Sequence, residues 1–381
     1  MKRFATMAAV LALLLGCLAG CGQAPQSDSF RFGGIGPLTG KNAIYGESVR
    51  HGMEIDVAEI NEAGGINGTP VTLSFADDAG DAESSVNAYN KLMDDGMQLL
   101  LGTVTTDPAL SVGALAYKDR TFMLTPSASS PDVTAGRDNV FQVCFSDLNQ
   151  GSGAANYISA HMPDCSIAII YRNDDSYSQG VRDNFVATGR EVGLKVVYEG
   201  TFTADTDTDF SVQLTAARAA GADLVFLPIY YTPASVILTQ ADRDGYHPTF
   251  FGVDGMDGIL GLAGFDTQLA EGLMLLTPFA ADAQDEKTAA FVKAYQEAYG
   301  DTPNQFAADG YDAVYIAKAA IEKAGCTPDM KAADMCERLM AAMTEISYTG
   351  LTGSDMRWNA AGEVSKQPFA VVIRGGVYVS A

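Results

Sequence analysis

Short, unbroken apolar runs recur along the chain, and each is followed by a segment whose apolar residues have helical spacing. Strands are predicted from such runs at 98–101, 121–124 and 166–171, each of which begins with one polar residue, and at 30–35, which Arg31 interrupts. Strands that are apolar on both faces are typical of parallel sheets covered by helices, joined by right-handed crossovers. The repeat starts again after Asn149, and 381 residues exceed what one core usually holds. The pattern therefore predicts an α/β protein with two lobes.

The loop 125–131 follows one of these predicted strands and contains two prolines and four residues with hydroxyl side chains. Prolines and serines cannot continue the strand, so the chain turns here. Loops at the carboxyl ends of parallel strands border the ligand crevice of an open sheet. Hydroxyls and free backbone N–H groups in such a loop suit a carboxylate or another compact polar group, although an ordinary turn has the same composition.

The amino-terminal segment has the pattern of an export signal. A basic start is followed by an apolar run at 7–15 that is too short to span a bilayer. Small residues then precede Cys21, and Leu18-Ala19-Gly20-Cys21 resembles the bacterial lipobox. We therefore predict a lipoprotein signal peptide at 1–20, a lipid on Cys21 and a flexible tether at 21–29. The protein would be exported and anchored to the cell membrane, facing the extracytoplasmic side; a soluble export signal that ends in cysteine is the alternative.

Charge and composition limit the classes of binding partner that we expect. The chain has 24 Lys and Arg against 47 Asp and Glu, a net charge of -23. Such a balance repels nucleic acid and anionic lipid, so we expect neither as a partner, and contact with the membrane only through the lipid. A Gly-x-Ser-x-Gly motif and a Walker-type loop are both absent from the sequence. We therefore expect no enzymatic activity and no cofactor.

The cysteines and histidines do not form a metal-binding pattern. Three histidines are scattered along the sequence, and the cysteine spacing fits no zinc motif, so no metal site is predicted. Cys326 and Cys336 are close in sequence, on either side of a Thr-Pro break between two predicted helices. In an exported protein they are a candidate disulfide, and the pairing of these two with Cys144 and Cys165 stays open.

Several short motifs, in order, carry a family resemblance across nearly the whole mature chain. They are GPLTG at 36–40, YG at 45–46, INEAGGING at 60–68, DDAGD at 77–81, TPSAS at 125–129, YSQG at 177–180, GVDG at 252–255, GLTG at 350–353 and a terminal hairpin at 369–379. Together they resemble the type I periplasmic-type solute-binding proteins of ABC importers, specifically the group that binds the branched-chain amino acids leucine, isoleucine and valine.

The resemblance implies two Rossmann-like lobes with parallel sheets joined by three crossover segments. We place the crossings near 145–149, at Thr277 and Pro278, and near 351–353. Lobe 1 would then comprise 30–146 and 278–351, and lobe 2 would comprise 147–277 and 352–381. A protein of this family captures its ligand as the lobes close and delivers it to an ABC permease and ATPase, and we expect a monomer.

The resemblance also implies how an amino acid would be bound. Its carboxylate would accept hydrogen bonds from a first-lobe threonine loop, from the backbone of Ser127 and from the hydroxyl of Ser129. Thr105 and Thr106 are the expected loop contacts, with Thr103 remaining a candidate. Each charge of a zwitterion that leaves water needs a partner, and these donors suit the anionic end.

The same resemblance assigns aromatic residues and one acid to the remainder of the site. Tyr45, Tyr177 and Tyr231 would enclose the ligand, and Asp254 would bind its ammonium group through a charge-assisted hydrogen bond. The tyrosines have the alternative interpretation of packing residues, and Asp254 that of a turn residue. A sensory ligand-binding component, or a binder of an amide or aromatic acid, are the alternative functions.

Overall fold

The computed structural model describes residues 28–381. The predicted signal peptide, Cys21 and most of the tether lie outside the described residues. Within the described part of the chain, no helix is both long enough and apolar enough to cross a bilayer.

The first five strands form one parallel sheet in the order β2-β1-β3-β4-β5. Its elements are β1 (Phe30–Gly36), α1 (Ala43–Glu62), β2 (Val71–Asp77), α2 (Ala82–Asp94), β3 (Leu99–Gly102), α3 (Thr106–Asp119), β4 (Phe122–Thr125) and β5 (Val140–Gln142). The central strands β3 and β4 are buried along their whole length, as their unbroken apolar sequence predicts.

The second sheet repeats this architecture. Its elements continue the chain as α4 (Asp147–His161), β6 (Ser166–Arg172), α5 (Ser176–Val192), β7 (Lys195–Phe202), α6 (Ser211–Ala219), β8 (Leu224–Leu227), α7 (Tyr231–Arg243), β9 (Thr249–Gly252) and β10 (Met274–Thr277). These strands are parallel in the order β10-β9-β8-β6-β7. The α/β architecture with two parallel sheets is therefore confirmed.

After β10 the chain returns to the first sheet and then back to the second. The elements are α8 (Glu286–Tyr299), α9 (Gln305–Ala324), α10 (Ala332–Met343), β11 (Ser347–Tyr348), β12 (Met356–Arg357), β13 (Phe369–Arg374) and β14 (Val377–Ser380). Helix α9 packs against α1, and α10 packs against β4. The hairpin β13–β14 extends the second sheet through antiparallel pairing with β10. This packing supports the division into lobes that the sequence predicts, and the exact boundaries stay a prediction.

Helices α1 and α9 approach closely because each has a glycine that faces the backbone of the other helix. A Cβ atom on Gly52 would lie 1.9 Å from the carbonyl oxygen of Ala307, and one on Gly310 would lie 2.4 Å from that of Val49. Any larger side chain would push the helices apart. The contact fixes the position of the α9 amino terminus, which borders the site described below.

Helix α3 begins at Thr106, three residues before the predicted start at Ala109. The polar sequence of 102–108 predicts a loop, followed by a helix over 109–117. Proline is tolerated in the first turn of a helix, where its missing N–H has no helical partner, and Asp107 suits the positive end of the helix dipole. The loop is therefore shorter than predicted, and the helix amino terminus lies next to β3.

The predicted Cys326–Cys336 disulfide is not formed: both residues are free thiols, as are Cys144 and Cys165. On α10, the Cys336 sulfur lies 3.8 Å from the Sδ atom of Met340 and close to Arg120. Cys326 is near Arg338, which is two positions from Cys336. Residues at that spacing lie on different faces of a helix, so the two thiols face different neighbours.

A buried ion pair lies where the connections between the two sheets pass. Lys366 and Asp309 are only 1% and 2% exposed, and their Nζ and Oδ1 atoms are 2.8 Å apart. The Lys366 ammonium also donates to the carbonyl of Val143 and to the Thr352 hydroxyl, at 3.2 and 2.7 Å. Val143 and Thr352 belong to two different connections. One side chain thus links both of them to helix α9.

Candidate functional site

Seven of the eight predicted ligand-binding residues line one cavity between the two sheets. They are Tyr45, Thr105, Thr106, Ser127, Ser129, Tyr177 and Asp254. The cavity has a volume of only 10 Å³, roughly the space of one water molecule. Its two walls therefore lie almost in contact, and an amino acid can enter only if they move apart.

The first wall is the amino terminus of helix α3. Thr105 is the N-cap residue, its side chain forms no capping hydrogen bond, and its buried Oγ1 has no partner among the described residues. Thr106 follows as the first residue of the helix. The Thr103 hydroxyl donates to the Thr105 carbonyl at 3.4 Å, and Thr103 does not line the cavity. Unpaired N–H groups and the helix dipole make this wall suitable for a carboxylate.

The serines of the loop after β4 complete this wall, but their hydroxyls are already engaged. Ser127 Oγ donates to the carbonyl of Val104 at 2.7 Å, and Ser129 Oγ donates to Asp147 Oδ1 at 2.7 Å. Burial raises the pKa of Asp147 well above its usual range. The Ser129 hydroxyl therefore donates to an acid in this structure. The family resemblance implies instead that this hydroxyl donates to the carboxylate of the ligand.

Asp254 lies on the opposite wall, in the short 3-10 helix that follows β9. The Tyr177 hydroxyl donates to Asp254 Oδ1 at 2.6 Å, and the backbone N–H of Gly255 donates to the Tyr177 oxygen at 3.0 Å. A Cβ on Gly255 would lie 2.8 Å from both the Tyr177 oxygen and the Ile229 carbonyl oxygen, so the turn requires glycine. Asp254 is 4% exposed, and burial raises its pKa to about 7, with the nearby Asp309 adding to the shift.

Gln150 supports this wall and was not predicted from the sequence. Its Oε1 accepts a hydrogen bond from the Asp254 backbone N–H at 3.3 Å. Gln150 lies in the first turn of α4, and Ser146 caps that helix at Asn149. The helix start therefore holds the Gln150 side chain under the turn that carries the acid.

Tyr45 connects the two walls. Its hydroxyl donates to the carbonyl of Gly255 at 2.5 Å and accepts from the backbone N–H of Tyr231 at 3.3 Å. Its ring centroid is 4.2 Å from that of Phe306 and 4.8 Å from that of Tyr231. Since Tyr45 lies on α1 and Gly255 on the opposite lobe, these hydrogen bonds form only when the lobes are together.

Tyr231 is the one predicted ligand contact that the structure places beside the cavity rather than in its lining. Tyr231 does not line the cavity; its hydroxyl accepts a hydrogen bond from the backbone N–H of Ile44 at 3.3 Å. The neighbouring Tyr230 lines the cavity instead and stacks on Tyr177 at 5.0 Å between ring centroids. Phe306, in the first turn of α9, also lines it, although its sequence position predicts only the start of a helix. The adjacent pair of tyrosines was the only sequence signal for Tyr230.

The arrangement places donors on one wall, an acid on the other and aromatic rings between them. Such a site can bind a small zwitterion, because the donors can hydrogen-bond its carboxylate and the acid can pair with its ammonium group. Among residues 28–381, no cluster of His, Cys, Asp and Glu could hold a metal ion. Two lobes that close over such a cleft define a solute-binding protein.

The chain belongs to the periplasmic binding protein family, whose sequence profile, described as "Periplasmic binding protein", it matches over residues 29–376. This is a family of binding proteins rather than enzymes, in agreement with the expectation from the sequence. The family resemblance stated above is thereby confirmed at the level of the family.

Relatives and solved structures agree with this assignment. The chain is 34% identical over 294 residues to Leu/Ile/Val-binding protein homolog 3 of Brucella melitensis, covering 77% of this chain and 78% of the relative. The branched-chain amino acid transporter substrate binding protein of Streptococcus pneumoniae, solved with isoleucine, superposes with a TM-score of 0.82 at 25% identity, covering 93% and 100% of the two chains. These matches confirm the two-lobe type I fold.

A third structure has the same fold with a different ligand. A solute binding protein of an ABC transporter from R. palustris, solved with benzoate, superposes with a TM-score of 0.81, covering 92% of this chain and 95% of that one. At 21% identity, this likeness concerns the fold alone. The fold therefore does not by itself select the ligand, and residues of the site must do so.

Proposed function

We propose that this protein is the extracytoplasmic solute-binding component of an ABC importer and that it captures a small amino acid, branched-chain or similar. The observation that carries the proposal is the pairing of Asp254 with the amino terminus of α3 across one cavity. An α-amino acid has an ammonium group and a carboxylate on the same carbon. A carboxylate facing a helix amino terminus across a narrow cleft is complementary to that pair of charges.

The aromatic residues of the cavity support an apolar side chain on the ligand. Tyr45, Tyr230 and Phe306 surround the space between the charged ends. Burying an aliphatic side chain against them contributes roughly 25 cal/mol per Å² of apolar surface. The amino acid relatives named above are consistent with leucine, isoleucine or valine as first candidates.

The transport role and the membrane anchor belong to the same proposal. The ligand-bound protein would present both closed lobes to a permease that is driven by an ATPase, and it would act as a monomer. Lipidation of Cys21 would keep it at the extracytoplasmic face of the membrane. The relatives' names support the transport role, whereas the anchor rests on the sequence motif alone, because Cys21 lies outside the described residues.

Calorimetry on protein refolded to remove carried-over ligand tests the proposal. Leucine, isoleucine, valine and alanine are compared with two leucine analogues that each lack one charge: 4-methylpentanoate without the ammonium group, and leucinamide without the carboxylate. We expect at least one amino acid to bind, and each analogue of leucine to bind about tenfold or more weakly than leucine, if leucine is the ligand. Equal binding of leucine and 4-methylpentanoate would contradict the role of Asp254.

A binder of aromatic acids is the second candidate, because the cavity is lined by aromatic rings and a structural neighbour holds benzoate. The buried Asp254 carboxyl disfavours it, since an anionic ligand without an ammonium group would leave that acid without a cationic partner. Benzoate and 4-hydroxybenzoate in the same titrations distinguish the two candidates. Tight binding of either acid, with no response to amino acids, would replace the amino acid proposal.

A further inference from the structure

A second cavity, the rear cavity, lies between the lobes on the side of the connections. It has a volume of 390 Å³, compared with 10 Å³ for the cavity at Asp254. Its lining comes from α1 and α8 on one side and from the second sheet and its hairpin on the other, and includes Ile44, Asp257, Leu275, Phe279, Val292 and Tyr378. A volume of this size is within the range of small-molecule sites.

The charge of the rear cavity has one sign. Its lining contains Asp257, Asp282 and Asp301, and none of the described residues that line it is Lys, Arg or His. Asp282 and Asp301 are exposed, so water screens them. Asp257 is 4% exposed, and its charge therefore dominates the cavity.

Asp257 lies at the amino terminus of α9 and has hydrogen-bond donors, but it has no Lys, Arg or His partner among residues 28–381. Its two carboxyl oxygens accept hydrogen bonds from the backbone N–H groups of Gly258 at 2.9 Å and Gln305 at 2.8 Å. The buried Tyr378 hydroxyl lies beside this carboxyl without a hydrogen bond of ordinary geometry. Burial raises the pKa of Asp257 to about 6, so the carboxyl is ionised at pH 8. A buried carboxylate of this kind gains from a cation that brings its own hydrogen-bond donors.

The remaining lining is mostly apolar. Leu275 and Val371 are fully buried, Phe279 is nearly so, and Ile44 and Val292 are half-buried. The uncharged polar side chains of the lining each take part in a hydrogen bond within the protein; they are Ser48, Thr277, Gln296, Thr302 and Asn304. Further polar groups on a ligand would therefore have few free partners. The lining therefore selects a molecule with one cationic group and an apolar body.

The two cavities share a wall. Gln305 donates from its backbone N–H to Asp257, and from Nε2 to the backbone carbonyl of Asp254 at 3.2 Å. Its Oε1 accepts from the Thr277 hydroxyl at 3.0 Å. Gln305 thus contacts the turn that carries Asp254, the rear-cavity acid and the connection after β10.

We propose that the rear cavity is a second binding site, that it takes a primary amine with an apolar body, and that it is complete only in the closed form. Closure is required because the lining comes from both lobes. The site is distinct from that at Asp254, and its existence does not depend on which solute the first site binds.

Titration with benzylamine at pH 8 tests the second site, with benzyl alcohol as the neutral control of the same shape. We expect benzylamine to bind wild-type protein about tenfold or more tightly than benzyl alcohol. Asp257→Asn removes the charge and should lower the affinity for benzylamine by a similar factor. Because Gln305 contacts both Asp257 and the Asp254 turn, Asp254→Asn can alter benzylamine binding indirectly, and we expect it to weaken that binding clearly less than Asp257→Asn does.

A second variant avoids the hydrogen bonds of Asp257. Val292→Trp projects a larger side chain from α8 into the cavity, and Val212→Trp, at a position that is 77% exposed on α6, is its control. Val292→Trp should abolish benzylamine binding, and Val212→Trp should not. Crystals grown with 4-bromobenzylamine should show the anomalous signal of bromine in the rear cavity. Failure of the wild type to bind benzylamine would overturn the proposal, as would binding that Asp254→Asn removes and Val292→Trp retains.

Discussion

Asp254 is a buried acid whose hydrogen-bond partners are all neutral. Tyr177 donates to its carboxyl, and Gln150 accepts from its backbone N–H. The negative charge of Asp309 raises the pKa of Asp254 further. An isolated buried charge is costly, so the site gains most from a ligand that supplies a positive charge.

Asp254→Asn retains the size of the side chain and removes its charge. We expect the variant to fold and to lose about 2–5 kcal/mol of binding free energy for the best amino acid ligand, or roughly thirtyfold or more in affinity. Calorimetry on both proteins measures the change, and circular dichroism checks the fold. An affinity within about threefold of wild type would mean that the ammonium group is bound elsewhere.

The raised pKa of Asp254 predicts a pH dependence of binding. Because this pKa is about 7 in the structure, the carboxyl is largely protonated below that pH and must lose a proton to pair with an ammonium group. Affinity should therefore rise from about pH 5 to about pH 7 and then level off. For folding the sign is opposite: the acid's contribution to stability is present at low pH and is lost as pH rises through about 7.

The other titratable groups that line this site are Tyr45, Tyr177 and Tyr230, and the acids Asp147 and Asp309 interact electrostatically with Asp254. Asp147 has a raised pKa as well, so the control is the same pH series with Asp254→Asn. A slope of the same size in that variant would assign the proton to another acid.

Thr105 offers a test of the opposite wall. Its buried hydroxyl has no partner among the described residues and lies at the start of α3. Thr105→Val removes the hydrogen-bond donor at nearly constant volume. It should weaken the binding free energy of an amino acid ligand by about 1.5–3 kcal/mol, the usual range for a hydrogen bond to a charged group. Thr105→Ser retains the hydroxyl and should bind nearly as well as wild type. Calorimetry would contradict this role if valine and serine at this position had equal effects.

The residue scale also shows what the sequence could not predict. Asp254 and Tyr177 are predicted ligand contacts because they lie in short motifs of the family, and the structure places both beside the same cavity. Tyr230 and Tyr231 are neighbours, and which ring enters the cavity depends on α7 beginning at Tyr231. A difference of one residue in a helix start rotates every following side chain, and sequence patterns do not define helix ends that closely.

At the scale of elements, the strands were predicted well and the connections less well. The strands β3, β4 and β8 are each buried along their whole length. Strands that are apolar on both faces fit only in the interior of a sheet covered by helices, so their sequences predict this position. The predicted start of α3 was three residues too late. Proline breaks a helix when it lies in the interior, but it is accepted in the first turn, where Pro108 lies. Whether Cys326 and Cys336 can form a disulfide depends on the orientation of α10, and both are free thiols in the structure. The spacing of the cysteines in the sequence does not determine that orientation.

The ion pair between Lys366 and Asp309 joins α9 to two connections between the lobes. Burial raises the pKa of Asp309 to about 6 even beside the Lys366 ammonium. Lys366→Met would leave that acid alone and should cost about 3–5 kcal/mol of unfolding free energy, whereas Lys366→Met with Asp309→Leu should recover much of the loss.

Urea unfolding measures these changes. The control is Lys293→Met, which breaks an exposed pair with Glu297 on α8 and should cost less than about 1 kcal/mol. If Lys366→Met were no more destabilising than Lys293→Met, the ion pair would have no role in holding the connections together.

For the whole molecule, the hydrogen bonds of Tyr45 predict a closing motion. Contacts between the lobes at Gly255 and Tyr231 belong to the closed form, and a ligand bound to both walls should favour it. Small-angle scattering should show a smaller radius of gyration with ligand. Tyr45→Phe should enlarge the radius without ligand and weaken binding. A radius that stays the same at saturation with a confirmed ligand would exclude closure as the mechanism.

The rear cavity is the feature of the whole molecule that sequence analysis could not reach. It exists where α1 and the terminal hairpin meet β10 and α8, and α1 and the hairpin are far from those two elements along the chain. Local periodicity predicts each of them separately. The space left between them depends on how the lobes pack, which no single stretch of sequence specifies.

The contact between α1 and α9 has a consequence for biosynthesis. The hydroxyl of Tyr311 donates to Glu59 at 2.7 Å, and these partners are 252 positions apart. A chain that is made and exported from its amino terminus must therefore wait for α9 before the apolar face of α1 can be covered. The edge of β10 waits longer still, for β13. A nascent chain that stops after α10 would expose that strand edge, and such edges are where chains aggregate.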